Sequence, residues 1–267
     1  MGDKTSISWT EHTWNPWRGC TKISPGCKNC YMFTAQHRQQ LRTGNFEMWN
    51  PEKVQRTTTW KDPLRWQRIA ALAGRTEMVF TCSWSDWFHP AADDWRSDAW
   101  KIIRACPHLH FQILTKRAER MARHLPADWG AGYPNVWLGV SVENRANLWR
   151  LDYLRRVPAR VRFLSAEPLL EDLELTAAHL EGIHWVIAGG ESGPGYRPMS
   201  HDWARRLRDL CRSLRVAFFF KQSAGRRTEM GTRLDGREWK QYPRVEMDAK
   251  PGTGLLWQDG TPTLNER

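Results

Sequence analysis

No stretch of the chain approaches the roughly 20 consecutive apolar residues that a membrane span needs. Its start, Met1-Gly2-Asp3-Lys4-Thr5, lacks the apolar core of a secretory signal. These two absences lead to the expectation of a cytoplasmic protein with no membrane partner. Cysteine is sparse, six in 267 residues, and so few at this length do not make a disulfide scaffold. Missing as well are a Ser-His-Asp arrangement, a Walker loop and an H-E-x-x-H helix, so neither a hydrolase nor a nucleotide triphosphatase is supported. There is no internal repeat and no low-complexity tract.

What is present describes a folded globular chain: 40% hydrophobic and 26% charged residues. The length suits one large domain or two small ones, and a single α/β barrel fits it. Forty Lys and Arg against 29 Asp and Glu leave a net charge of +11. That balance favours a polyanionic partner, most often nucleic acid, although a merely basic enzyme has the same signature. Seventeen tryptophans, many beside polar or basic residues as in Trp14-Asn15-Pro16-Trp17-Arg18, suit either base stacking or a packed core.

Short apolar runs alternate with amphipathic stretches. Strands are expected at residues 78–83, 110–115, 135–142, 161–165, 184–190 and 216–221, with an opening strand near Ser6-Ile7-Ser8-Trp9. Helices are expected at roughly 28–42, 92–105, 117–124, 145–156 and 200–215. The last is capped by Ser200 and aligns Leu207, Leu210 and Leu214. Such alternation predicts a parallel sheet with right-handed crossovers. A partial or closed (β/α) TIM-like barrel of six to seven strands, residues 1–225, is the expected α/β fold, with a doubly wound sheet second. Residues 226–267, rich in Gly, Arg, Asp and Pro, form an irregular C-terminal extension, packed or loose.

The chemistry concentrates in the loop 19–31. Cys27 and Cys30 form a C-x2-C pair, and Cys20 precedes it with six residues between. Thiolates are soft ligands suited to zinc or iron–sulfur clusters. A structural zinc would need a fourth ligand from elsewhere, with His12, His37 and His89 as candidates. A [4Fe–4S] cluster needs none if the fourth iron binds a cofactor. Cys82, Cys106 and Cys211 are scattered in apolar or helical contexts and read as ordinary buried thiols.

Polar residues leave the strands where a barrel would converge on its active site: Ser85 and Asp86, Lys116, Ser141 and Glu143, Ser165 and Glu167, Glu191, and Lys221. The segments Asn15-Pro16-Trp17-Arg18-Gly19-Cys20 and Gly26-Cys27-Lys28-Asn29-Cys30-Tyr31 resemble the opening of radical S-adenosylmethionine enzymes of the spore-photoproduct-lyase-like branch. The whole chain resembles a phage- and prophage-associated family of three-cysteine proteins of unassigned activity. The matching segments include Ser85-Asp86-Trp87-Phe88-His89 and Phe163-Leu164-Ser165-Ala166-Glu167-Pro168-Leu169.

The resemblance implies a [4Fe–4S] cluster on Cys20, Cys27 and Cys30, S-adenosylmethionine on the open iron, and an electron donor. In that superfamily a Gly-Gly-Glu after the second strand receives the cofactor's amino group. Here Gly189-Gly190-Glu191 follows the sixth, so Ser83, Ser85 and Asp86 are assigned that contact. Tyr31 and Phe33 would pack on adenine or shield the cluster. Ser141 and Glu143 would hold the ribose, with Ser165 and Glu167 as alternatives. Lys116, Arg197 and Lys221 would meet an anionic substrate, the resemblance favouring nucleic acid or a nucleotide. A peptide or small-metabolite substrate, and a zinc-stabilised nucleic-acid-binding protein without catalysis, are the alternatives. Two arginine groups, 145–162 and 205–215, are either a phosphate-binding surface or solvated helix faces.

Overall fold

The computed structural model describes residues 5–244. Seven parallel strands form one sheet in chain order: β1 (His12–Trp14), β2 (Glu77–Thr81), β3 (Leu109–Thr115), β4 (Val136–Ser141), β5 (Val161–Ala166), β6 (Trp185–Gly189) and β7 (Ala217–Gln222). Five α-helices accompany them: α1 (Tyr31–Thr43), α2 (Asp62–Leu72), α3 (Asp93–Arg104), α4 (Trp149–Arg155) and α5 (His201–Leu214). The strand order never reverses, so the sheet is that of a partial (β/α) barrel and not a doubly wound fold. The chain divides into two units. One comprises the residues up to Ser141 with Trp149–Arg160, and the other Val142–Leu148 with the residues from Val161 onward.

In the first unit, β3 and β4 are almost wholly buried, as apolar strands covered on both faces must be. Register sets Val79 beside Phe111 and Ile113 beside Leu138. The tryptophans make the core here. Trp87 lies 5.0 Å from both Trp17 and Trp100, and Trp100 lies 5.4 Å from Trp129. Trp14 and Trp17 are fully buried, which removes both from any base-stacking role.

Two expectations need correction in this unit, and one helix goes beyond them. Residues 6–9 make a turn, and the first strand starts at His12. Trp9 is buried against Phe80, 4.6 Å between rings, so its apolar character anchors a turn and does not mark a strand. The stretch 117–124 forms two 3-10 turns, Ala118–Arg120 and Ala122–His124, and no α-helix. Leu125 is extended before Pro126, and the Arg120 guanidinium donates to the Phe88 carbonyl. Helix α2 was not anticipated, although Asp62-Pro63 at its first turn is a readable start signal.

In the second unit, β5, β6 and β7 pair in parallel through Leu164–Val186 and Val186–Phe218. Ser200 Oγ accepts from the Asp202 amide and caps α5. The buried stripe of α5 is Ala204, Leu207 and Cys211, and Leu214 is exposed, a shift from the expected leucine face. Of the expected extension, residues 226–244 are described. They contain a hairpin of Arg233–Leu234 and Arg237–Glu238. Next to it, residues 239–241 run antiparallel along β7: Phe220 N donates to Trp239 O and Gln241 N to Phe218 O. An otherwise open sheet edge is thereby closed.

His110 and His184 titrate near pH 4, pushed down by burial and then by Arg160 and Arg162 respectively. An unfolded chain takes up these protons as pH falls through about 6.5, whereas the folded chain resists until about 4. Stability is therefore fully present above about pH 6.5 and declines below it, by up to about 3 kcal/mol per histidine at pH 4. Thermal unfolding across pH 4–8 should show this decline, and His184→Asn should make it shallower.

Candidate functional site

The cysteine loop is tied down from both sides. Gly19 N donates to Trp84 O, Cys20 N to Pro51 O, and Ser85 Oγ to Gly19 O at 2.6 Å. Gly19 has φ +90°, and a Cβ there would collide with the Lys53 carbonyl, so this position requires glycine. Asn15 is fully buried and does the matching work below. Its Oδ1 accepts from Trp84 N at 2.7 Å, its Nδ2 lies 2.9 Å from Ser83 Oγ, and its carbonyl accepts from Thr57 Oγ1.

Cys27 sits in a single 3-10 turn, and Cys30 precedes α1 as its extended N-cap residue. The three thiols converge: the charge of Cys27 is felt at both Cys20 and Cys30, raising each. Cys20 is pushed up to about 12, first by burial and then by Asp86, against the opposing pull of Arg117. Cys30 is raised by burial, opposed by amides of α1 and by Lys116. Tyr31 is half exposed and tethered, its hydroxyl donating to Ser83 O at 2.6 Å. Lys22 Nζ lies over the Phe33 ring at 4.8 Å.

Behind Cys20 stands a buried polar network. Asp86 Oδ1 accepts from Thr115 Oγ1 and Phe88 N, and Oδ2 accepts from Lys116 N. Arg117 Nη1 lies 3.3 Å from Asp86 Oδ2 and donates to Cys20 Sγ at 3.7 Å, while Nη2 donates to both oxygens of Thr21. His89 is held neutral, near pKa 4, by burial and then by Arg117. Its Nε2 lies 3.2 Å from Thr21 Oγ1, and its Nδ1 accepts from Ala91 N.

Of the sequence-expected residues, Cys20, Cys27, Cys30, Tyr31, Ser83, Ser85, Asp86 and Lys116 thus gather in the first unit. His89 is expected as a candidate fourth zinc ligand; Asn15, Thr21 and Arg117 were not anticipated there. The signal for Arg117 was present, since it follows Lys116 where β3 ends. Ser141 closes β4, is buried, and its carbonyl accepts from Arg150.

The second unit carries the others. Lys221 Nζ lies 3.2 Å from Glu167 Oε1, and Ser165 Oγ donates to Glu167 Oε2. Glu143 is fully buried. Gly189 leaves room for Glu167, and a Cβ on Gly190 would enter the backbone of Ala224. Glu191 is ion-paired to Arg197, whose amide also donates to it. The Gly-Gly-Glu segment here therefore makes a close backbone crossing and an internal ion pair.

Three thiols on one loop are a donor set suited to a cluster, or to a zinc ion completed by a fourth ligand. Among the described residues, no group of three or more His, Cys, Asp and Glu side chains is close enough to hold one metal ion. The candidate fourth zinc ligands are engaged: His12 with Glu77 at 2.8 Å, His37 with Gln40 and His89 with Thr21. A cluster holds its thiolates on separate irons, so they need to converge without touching.

The family model for proteins of unknown function DUF5131 matches residues 4–243. The chain belongs to the DUF5131 family. No curated protein matches the DUF5131 chain. Among solved structures it is similar to a cysteine-to-serine mutant of spore photoproduct lyase, at 15% identity and a TM-score of 0.49, covering 97% of this chain and 72% of that one. It is also similar to spore photoproduct lyase complexed with dinucleoside spore photoproduct, at 16% identity and a TM-score of 0.48, covering 97% and 72%. At this distance the likenesses assign no chemistry to the DUF5131 chain.

Replacing Asn15 with Ala strips the Trp84 amide of its buried acceptor and should lower stability by about 1–3 kcal/mol. Urea unfolding measures this loss.

Proposed function

We propose that Cys20, Cys27 and Cys30 hold a [4Fe–4S] cluster whose remaining iron is open to S-adenosylmethionine. On this reading the protein is a radical enzyme acting on nucleic acid or a nucleotide-containing substrate. One observation carries the reading: three free thiols belong to one loop, and Cys27 acts electrostatically on both Cys20 and Cys30. The resemblance of the flanking segments to the radical enzyme opening supports it. When bound and reduced, the cluster supplies the electron that splits S-adenosylmethionine into methionine and a 5′-deoxyadenosyl radical, which takes hydrogen from the substrate.

The chain's own residues position and shield. Tyr31, next to Cys30 and fixed through its hydroxyl, offers a flat surface for adenine. Ser83 and Ser85 stay close to the loop through Asn15 and Gly19, where their free lone pairs can meet the cofactor's amino group. Asp86 is already saturated by four donors, which makes it a support of the loop before it is a cofactor ligand. Lys116, whose charge reaches Cys30, is suited to an anionic group beside the cluster. Ser141 of the first unit and Glu143 of the second are each candidate ribose contacts; in the second unit Ser165 and Glu167 are the alternatives, and Lys221, beside Glu167, is suited to an anion. Arg197 would have to leave Glu191 to serve a substrate.

The arginine-rich faces contribute less than their count suggests. Arg145 pairs with Glu171 and Glu174, Arg155 with Asp152, Arg205 with Asp202 and Asp235, and Arg208 with Asp209 and Asp235. Arg150 is buried. An anionic substrate is thus better met by Lys116, just past the end of β3, than by these helix faces.

Anaerobically purified protein should contain about four irons and four sulfides per chain, the stoichiometry of one cubane cluster. With dithionite and S-adenosylmethionine it should form 5′-deoxyadenosine, and Cys27→Ala should abolish both. One zinc per chain with no colour and no cofactor cleavage would overturn the reading and make the loop structural. DNA or RNA binding that weakens steeply with salt would support the substrate class; absence of binding at low salt would redirect it to a peptide or metabolite.

A further inference from the structure

Arg117 and Asp86 form a buried ion pair whose cationic end faces a single cysteine sulfur. Their side chains are 6% and 7% exposed, and they lie in the same unit as the loop. The Arg117 fork is fully engaged: one nitrogen reaches Asp86 and Cys20 Sγ, the other both oxygens of Thr21. Burying such a pair is costly, and an internal crosslink could be made by apolar residues at no loss of stability. The placement is asymmetric: among the described residues, Cys20 alone of the three cysteines receives a guanidinium N–H. Cationic donors aimed at a thiolate stabilise negative charge on it, and a carboxylate behind them moderates that effect.

We infer that Arg117 sets the reduction potential of the metal group held by the loop through its hydrogen bond to Cys20, with Asp86 as the positioning residue that holds and partly neutralises it. This rests on the cluster reading proposed above. One-electron reduction adds one negative charge to the site and no proton. In the test the electron comes from dithionite. Arg117 favours that added charge and Asp86 opposes it, so removing each should move the potential in opposite directions. A crosslink with only a structural role produces no such sign reversal.

The test is a redox titration of the reconstituted holoprotein followed by electron paramagnetic resonance. Arg117→Gln should cut the reduced-to-oxidised ratio at a fixed potential about tenfold, which is about 59 mV more negative for a one-electron couple. Asp86→Asn should shift it in the positive direction. Asp86→Asn combined with Arg117→Gln leaves no unpaired buried charge and should fall between the two, which keeps the test open if Arg117→Gln alone folds poorly. Iron-loaded variants that all titrate with the wild type, or all shift the same way, would overturn the inference while leaving the cluster reading intact. Wild-type protein that takes up no iron would overturn the cluster reading itself.

Discussion

The buried Asp86 carboxylate is the constraint on which the candidate site depends. It takes donors from the residues following β2 and from the end of β3, and through Arg117 it reaches the cysteine loop. A charged group this deep must be paired on every side, because an unmet carboxylate costs more than any single bond returns. The four donors therefore lock two strand ends and one loop into a single arrangement. Asn15 repeats this logic with a neutral amide, tying β1 to Trp84 and Ser83.

Around these polar anchors the first unit is packed with indoles. Tryptophans buried beside Asn, Arg and Lys in the sequence look like nucleic-acid contacts, yet Trp14, Trp17 and Trp87 fill the core. Their size suits the wide space between sheet and crossover segments, and their tilted and edge-on contacts add to the area they bury. The basic residues tell a similar story. Much of the positive charge on α5 is spent on neighbouring aspartates, so net charge overstates the surface offered to a polyanion.

In the second unit, close backbone approach replaces aromatic bulk as the organising feature. Gly190 lets the chain pass Ala224 without a side chain between them, and Gly189 leaves the space that Glu167 occupies on its way to Lys221. The residues that follow β7 return as an antiparallel edge through Trp239 and Gln241. This return gives residues 239–241 a definite place on the sheet edge.

Local signals were sufficient for the parallel alternation of strands, the Ser200 cap and the cysteine spacing, because each depends on residues a few positions apart. They failed at 6–9 and 117–124, where Trp9 and Arg120 are captured by partners distant in the chain. The loop's thiols and its glycine could be read from sequence; Arg117 could not be assigned to Cys20, 97 residues away. By itself, then, the sequence determined the strand-and-helix alternation and the presence of a three-thiol loop. Only the tertiary structure decided which polar groups are already committed, Asp86 to Arg117 and Glu191 to Arg197. The reason is physical: such commitments depend on strand register and loop closure, which bring together charges that no local pattern relates.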